Sequence, residues 1–321
     1  MTEGIMNQKI LISITSPCFN EEGNIKELYT RVIKVMETLP EYDFEYVFID
    51  NASTDRTAEI LRELASKDPR VKVIINTRNF GHIRSPYWGI ISTKGAATIY
   101  LASDLQDPPE LIVEFIKQWQ AGYKIILAVK PVTSANPLMH YLRRTYYRLL
   151  DKISEVSITK DATGFGMYDK VVLDHIRAIN DPYPFLRGLI CELGYQIKTI
   201  SFNQPRRLRG ISKNNFYSLF DIALLGIVSH SMVPIRVASM LGFLVAFLSI
   251  LSACILLVAK LFFWESFPVG YAPVGIGILL IFGVLLFFIG MVGEYVGVIH
   301  NHIQRHPIVV ERERINFSNE N

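Results

Sequence analysis

Ile99-Tyr100-Leu101-Ala102-Ser103-Asp104-Leu105-Gln106-Asp107-Pro108-Pro109-Glu110 is an apolar strand that runs into a short acidic loop. Two prolines then open a helix, where a proline is tolerated because its missing N–H would find no helical partner anyway. Asp104 therefore falls at the carboxyl edge of a sheet, where open α/β folds bind ligands. Asp104 and Gln106, a carboxylate and an amide two residues apart, can turn toward one hard cation. Such an ion keeps several waters and shares its other positions with substrate phosphates. The same residues would also serve as a helix cap with a solvated acid, and the rest of the chain decides between the two.

Upstream, Lys9–Ser16 is a β-rich run that ends in Pro17-Cys18-Phe19-Asn20-Glu21-Glu22-Gly23-Asn24, with a helix over Ile25–Thr38. Phe44–Asp50 is the next strand. It ends in Asp50-Asn51-Ala52-Ser53-Thr54-Asp55, before a helix from Arg56 to Ser66. Val71–Asn76 leads to Asn79-Phe80-Gly81-His82 and a helix over Ser85–Ser92. Ala97–Leu101 enters the acidic loop, a helix follows at Pro109–Gln120, and Lys124–Val129 is a strand ending at Lys130. Strands alternating with helices at this spacing predict a mostly parallel sheet covered on both faces. Glu21, Asp50, Asp104 and Lys130 then share one sheet edge. Each alone would pass as a cap or turn former; four strand ends in register point to a ligand.

The chain has 321 residues, half of them apolar, with a net charge of +3. That charge is too small to argue for nucleic acid. Mean hydropathy is +0.25, and the apolar excess lies after residue 234. Cys18, Cys191 and Cys254 are scattered and odd in number, which suits a reducing compartment. The run Ile10–Ile14 is too short for a signal-peptide core and is expected to be a strand.

The motifs Pro17-Cys18-Phe19-Asn20-Glu21-Glu22, Asp50-x-x-Ser53-x-Asp55, Asn79-Phe80-Gly81 and Asp104-Leu105-Gln106-Asp107-Pro108-Pro109-Glu110 resemble the GT-A glycosyltransferases of family 2, and within them the polyprenyl-phosphate sugar synthases. The resemblance implies a nucleotide-sugar donor, Mg²⁺ or Mn²⁺, and a lipid phosphate acceptor. It implies that Pro17, Phe19 and Glu21 contact nucleobase and ribose and that Asp50 holds the base. Ser53 and Gly81 fall in the same donor-binding set. Ser103 and Asp104 would lie along the diphosphate, with Asp104 and Gln106 on the metal. The family pattern is Asp-x-Asp-x-Gln, and here Ala102 stands where the first Asp belongs, one carboxylate fewer for the ion.

Pro137–Ser154 has apolar residues at helical spacing together with Arg143, Arg144 and Arg148; a membrane-facing helix and a solvated basic face both fit. Lys160–Asp169 matches the family's acceptor loop, usually Gly-Asp-Phe-Arg. Here Gly164 replaces that Asp and Gly166 the Arg, so the family's base is absent from its position and Asp161 is the nearest substitute. The loss is tolerable, because a lipid monophosphate with a second pKa of about 6 is already largely ionised at neutral pH. Positioning and charge stabilisation remain. Arg207 and Lys213, in Arg206-Arg207-Leu208-Arg209-Gly210-Ile211-Ser212-Lys213, match the family's phosphate contacts. A polybasic patch drawn to anionic lipid fits the same residues.

Asn215–Ser231 places apolar residues on one side, as for a helix lying in a membrane interface. Val237–Ala259 and Ala272–Val292 carry no charge, and each is long enough to cross a hydrocarbon core of about 30 Å. Arg236 precedes the first run, and Arg305, Arg312 and Arg314 follow the second, so both ends are expected on the cytoplasmic side. Gly293-x-x-x-Gly297 permits close helix contact, and a homo-oligomer is expected.

The expected architecture is an α/β, GT-A (Rossmann-like, mostly parallel sheet) catalytic domain over 1–214. An interfacial helix over 215–234, a two-helix transmembrane hairpin over 235–300 and a cytoplasmic tail over 301–321 follow. The expected activity is inverting sugar transfer to a polyprenyl (undecaprenyl) phosphate at a bacterial inner membrane. Asp104, Asp161, Arg207 and Lys213 form the expected catalytic set, with Lys130 on the phosphates. Two alternatives remain open: a family 2 transferase with another glycan or glycolipid acceptor, and an inactive sugar-nucleotide-binding scaffold.

Overall fold

The computed structural model describes residues 9–130, 162–181, 184–203, 271–303 and 307–317, with isolated positions between 240 and 262. The chain divides into two units. One comprises 1–147, 156–216 and 305–321; the other comprises 148–155 and 217–304.

The first unit is built on an eight-stranded sheet in the order β7-β5-β6-β4-β1-β2-β3-β8. The strands are β1 (Ile10–Cys18), β2 (Tyr42–Asp50), β3 (Val71–Asn76), β4 (Ala97–Tyr100), β5 (Ile125–Val129), β6 (Ala162–Asp169), β7 (Ile197–Ser201) and β8 (Glu311–Ile315). β1 lies parallel between β2 and β4, β3 is parallel to β2, and β7 is parallel to β5. β6 runs antiparallel between β4 and β5, and β8 antiparallel along β3. The first five strands therefore end at one edge, where β6 and β8 begin.

Helices cover both faces. Ile25 and Leu28 of α1 (Ile25–Glu37), Leu61 of α2 (Thr57–Lys67) and Phe115 of α4 (Ile112–Gln120) share one core with Ile12, Ile14 and Phe48. Tyr87 and Ile90 of α3 (Gly81–Ile91) share another with Val172 and Ile176 of α5 (Lys170–Ile179) and Leu189 of α6 (Leu186–Glu192). β1 presents isoleucines to the first face and Ser13 and Thr15 to the second. The small residues let α3 approach closely: a Cβ on Gly89 would lie 2.8 Å from Thr15 Oγ1 and 2.9 Å from Ile49 Cγ2.

Three sequence expectations change. The stretch expected as an acceptor loop is a strand, since Ala162–Asp169 forms β6. Gly166 sits so close to the Ile126 carbonyl that no Cβ fits, which accounts for the missing arginine. Gly164 has φ +95° in an irregular part of that strand, a conformation that favours glycine over aspartate. The segment expected as a tail also returns to the sheet as β8, with Ile308 and Val309 buried beside Phe80 and Tyr87. The helix expected at Pro109 opens with a 3-10 turn, Pro109–Leu111, before α4 begins.

In the second unit, α7 (Tyr271–Ile303) runs for 33 residues, roughly 50 Å at the helical rise. Val274, Ile278, Ile281, Leu285, Ile289, Val292, Val296, Ile299 and Ile303 are exposed along it at three- or four-residue spacing, and Phe282 is exposed beside them. Among the described residues no helix is long and apolar enough to cross a membrane; the side chains of Leu279, Leu280 and Leu286 of α7 fall outside that set. Most of the run 237–259, and all of 215–234, also lie outside the described residues.

Candidate active site

The three loops that follow β1, β2 and β4 meet at the carboxyl edge. Each holds one non-glycine residue in the left-handed region: Asn20 (φ 58°), Ala52 (φ 59°) and Leu105 (φ 61°). For Ala and Leu that conformation costs about 1–2 kcal/mol per residue, and strain of this kind collects at functional sites.

Hydrogen bonds join the loops. Asn20 N–H donates to Ser53 Oγ (2.9 Å), and Thr54 N–H donates to Asn20 Oδ1 (2.8 Å). Glu21 N–H donates to Thr57 Oγ1 (2.8 Å), while the Glu21 carboxylate accepts from Asn24 Nδ2 (2.6 Å). Ser103 Oγ donates to the Pro17 carbonyl (2.7 Å), tying the β4 loop to β1.

Asp50 is fully buried at the end of β2. Its Oδ1 accepts from Ser53 Oγ (2.5 Å) and its Oδ2 from Ser53 N–H (3.1 Å). Burial raises its pKa; the Ser53 bonds and, more weakly, the Arg312 charge oppose that rise.

The loop after β4 alternates. Ser103, Leu105 and Asp107 are buried, while Ala102, Asp104 and Gln106 are partly exposed. The left-handed turn at Leu105 brings Gln106 N–H to Asp104 Oδ1 (3.2 Å). Asp107 turns inward and its Oδ2 accepts from Ala102 N–H (3.3 Å). Burial pushes the Asp107 carboxyl up to about 7; the Ala102 amide opposes this, the Asp104 charge adds to it and Lys130 opposes it.

Among the described residues, no group of three or more His, Cys, Asp or Glu could hold a metal ion by itself. The partly exposed residues of the loop offer one carboxylate and one amide oxygen, with a methyl at Ala102. That set fits a hard divalent cation whose remaining positions are filled by water and substrate phosphate.

Pro17, Phe19, Glu21, Asp50, Ser53, Ser103, Asp104, Gln106 and Lys130 thus lie in the strand ends and loops of one edge. Gly81 opens α3 beside them, its N–H donating to Asn79 Oδ1 (2.7 Å) and its carbonyl accepting from Asn51 Nδ2 (3.1 Å). Asp161, Arg207 and Lys213 lie outside the described residues.

Residues 13–177 match the family described as Glycosyl transferase family 2. The chain belongs to glycosyltransferase family 2. An uncharacterized glycosyltransferase of Bacillus subtilis, YkcC, is 33% identical over 98% of this chain and 97% of its own length. A bactoprenol glucosyl transferase of Shigella phage SfII is 35% identical over 92% of this chain and 96% of its own. An uncharacterized glycosyltransferase of Synechocystis is 30% identical over 93% and 94%.

In this family 2 glycosyltransferase one residue of the site, Asn51, carries no signal of its role in a motif reading. Asn51 is buried and its amide makes four bonds: Nδ2 donates to Asn79 Oδ1 (2.9 Å) and to the Gly81 carbonyl, while Oδ1 accepts from Asn76 Nδ2 (3.2 Å) and Phe80 N–H (2.9 Å). It holds the Asn79-Phe80-Gly81 turn against β2. The Asn79-Phe80-Gly81 motif is visible in the sequence, but its partner 28 residues away is set only by the fold.

Proposed function

We propose that the protein transfers a sugar, with inversion, from a nucleoside diphosphate donor to a polyprenyl phosphate at the cytoplasmic face of a bacterial inner membrane. The observation that carries the reading is that Asp104 and Gln106 are both partly exposed in the loop at the carboxyl edge of β4, which Ser103 ties to β1 and where the Lys130 charge is felt at Asp107. The bactoprenol glucosyl transferases among the relatives support the lipid acceptor.

In this reading an oxygen of the lipid phosphate attacks the anomeric carbon as the bond to the donor diphosphate breaks. The diphosphate leaves with the electron pair. The attacking phosphate is already ionised near neutral pH, which agrees with a glycine, Gly164, where the family carries a base. Ser103 and Asp104 position the diphosphate, and Lys130, Arg207 and Lys213 offset its charge. Mg²⁺ or Mn²⁺, held by Asp104 and Gln106, would supply further charge stabilisation to the leaving group.

The membrane reading is supported by the run of exposed apolar side chains along α7, a kind of surface that soluble monomers rarely leave open. Gly293 and Gly297 have nothing near their Cβ positions, which leaves room for a helix of a second copy.

The test uses purified full-length protein in lipid nanodiscs containing undecaprenyl phosphate, with a panel of nucleotide sugars and Mn²⁺. The expected product is a lipid-linked sugar phosphate that mild acid hydrolyses. Asp104→Asn should lower turnover at least about a hundredfold, the scale of losing one charge-stabilising group, with an unchanged melting temperature. Wild-type turnover in Asp104→Asn, or transfer to a lipid that lacks phosphate, would overturn the reading.

A further inference from the structure

β8 joins β3 with a break in register. Ile75 faces Glu313, but Asn76 faces Glu311, so Arg312 is the extra residue of a bulge. Bulges re-aim side chains and are common beside binding sites. This one lies at the carboxyl end of β3, where Ile75 pairs with Asp50 of β2.

The charged residues around it are taken. Glu313 receives Arg62 (Nη2 to Oε2, 2.6 Å). Glu311 Oε1 accepts from Trp88 Nε1 (2.5 Å) and from Arg314 Nη2 (3.0 Å). Arg312 is exposed and, among the described residues, has neither a hydrogen bond nor an ion pair. Its charge is nonetheless felt at Asp50.

We propose that Arg312 reads the nucleobase of the donor, its guanidinium donating to a ring carbonyl oxygen. The inference rests on the nucleotide-sugar reading above. Strands are spaced about 4.8 Å apart. A donor whose diphosphate lies by Asp104 at the end of β4, laid along the edge over β1 and β2, brings its base toward β3. That is one strand from the Arg312 bulge. A guanidinium has donors only and stays charged at every physiological pH, so it selects for an acceptor. Uracil, guanine and cytosine carry a ring carbonyl oxygen, the stronger acceptor; adenine offers ring nitrogens only. Arg312 would therefore set the base preference, and it comes from a segment far along the chain from Lys130, the last described residue of the donor edge.

Full-length protein in nanodiscs, titrated calorimetrically with UDP, GDP, CDP and ADP in Mn²⁺, tests this. The wild type should bind one carbonyl-bearing nucleotide best and ADP weakly. Arg312→Ala should weaken the preferred nucleotide at least about tenfold, the scale of one charge-assisted hydrogen bond, and leave ADP unchanged. Arg312→Lys should recover part of the loss, and Arg314→Ala, one strand position pair away, should bind as wild type. Melting curves without ligand identify any variant that fails to fold, and in that case the Lys variant decides.

If Arg312→Ala binds all four nucleotides as wild type does, or if the wild type prefers ADP, the proposal falls while the donor reading stands. If the wild type binds none of the four, the donor reading itself fails and takes this one with it.

Discussion

Asp107 is buried in the loop that presents Asp104, and among the described residues its one amide donor is Ala102. Its carboxyl is raised to about 7, against an ordinary value near 4 in the unfolded chain. The folded state therefore keeps a proton that the unfolded chain releases. Its contribution to stability is complete below pH 4 and is lost as the pH rises through 7. Asp107→Asn keeps an oxygen for Ala102 N–H and has no charge to bury. In metal-free protein it should melt close to wild type at pH 5 and higher than wild type at pH 8. Melting curves at the two pH values check this, and equal pH dependence in both proteins would contradict it. In sequence Asp104 and Asp107 are alike, two acids in one motif. What separates them is the alternation of the loop, and the left-handed turn at Leu105 that sets it has no signature in a leucine.

At the scale of elements, legibility followed composition. β1 to β5 are apolar runs that end in turn residues, and all five lie where the pattern predicts. β6 contains Gly164 and Gly166, and β8 is Glu-Arg-Glu-Arg-Ile, which has the composition of a solvated tail. Charge is what an edge strand is expected to carry, since it discourages pairing with another chain. The signal for β8 lay in the apolar pair just before it. Ile308 and Val309 are 7% and 6% exposed, whereas the next residue, Val310, is 45% exposed. Ile308→Ala should destabilise the catalytic unit by about 2–5 kcal/mol, the usual range for emptying a buried isoleucine site. Val310→Ala should stay within about 0.5 kcal/mol. Chemical denaturation of the full chain, followed by the fluorescence of Trp88, distinguishes them. If both variants behave as wild type, the returning segment is not part of the core.

At the scale of the whole molecule, the strands bracketing the second unit constrain what that unit can do. β7 ends at Ser201 and β8 begins at Glu311, and both belong to one sheet. Whatever lies between them must leave and return on the same side of a membrane, so any crossings come in an even number. If α7 makes one, as proposed, a second must precede it, and the uncharged run 237–259 is where the sequence puts it. The connector Trp264-Glu265-Ser266-Phe267-Pro268-Val269-Gly270-Tyr271 would then emerge on the far face, where its aromatics and lack of Lys or Arg belong. Cysteine labelling in a Cys254→Ser background reads this directly, since Cys18 and Cys191 are buried. Ser266→Cys should react with a membrane-impermeant maleimide in intact cells. Ser318→Cys, just past β8, should react only after the membrane is permeabilised. Labelling of Ser318→Cys from outside would place the sheet on the wrong side of the membrane for a cytoplasmic donor. Protection of Ser266→Cys until permeabilisation would mean that α7 does not cross, and its apolar stripe would then need a protein partner in place of lipid.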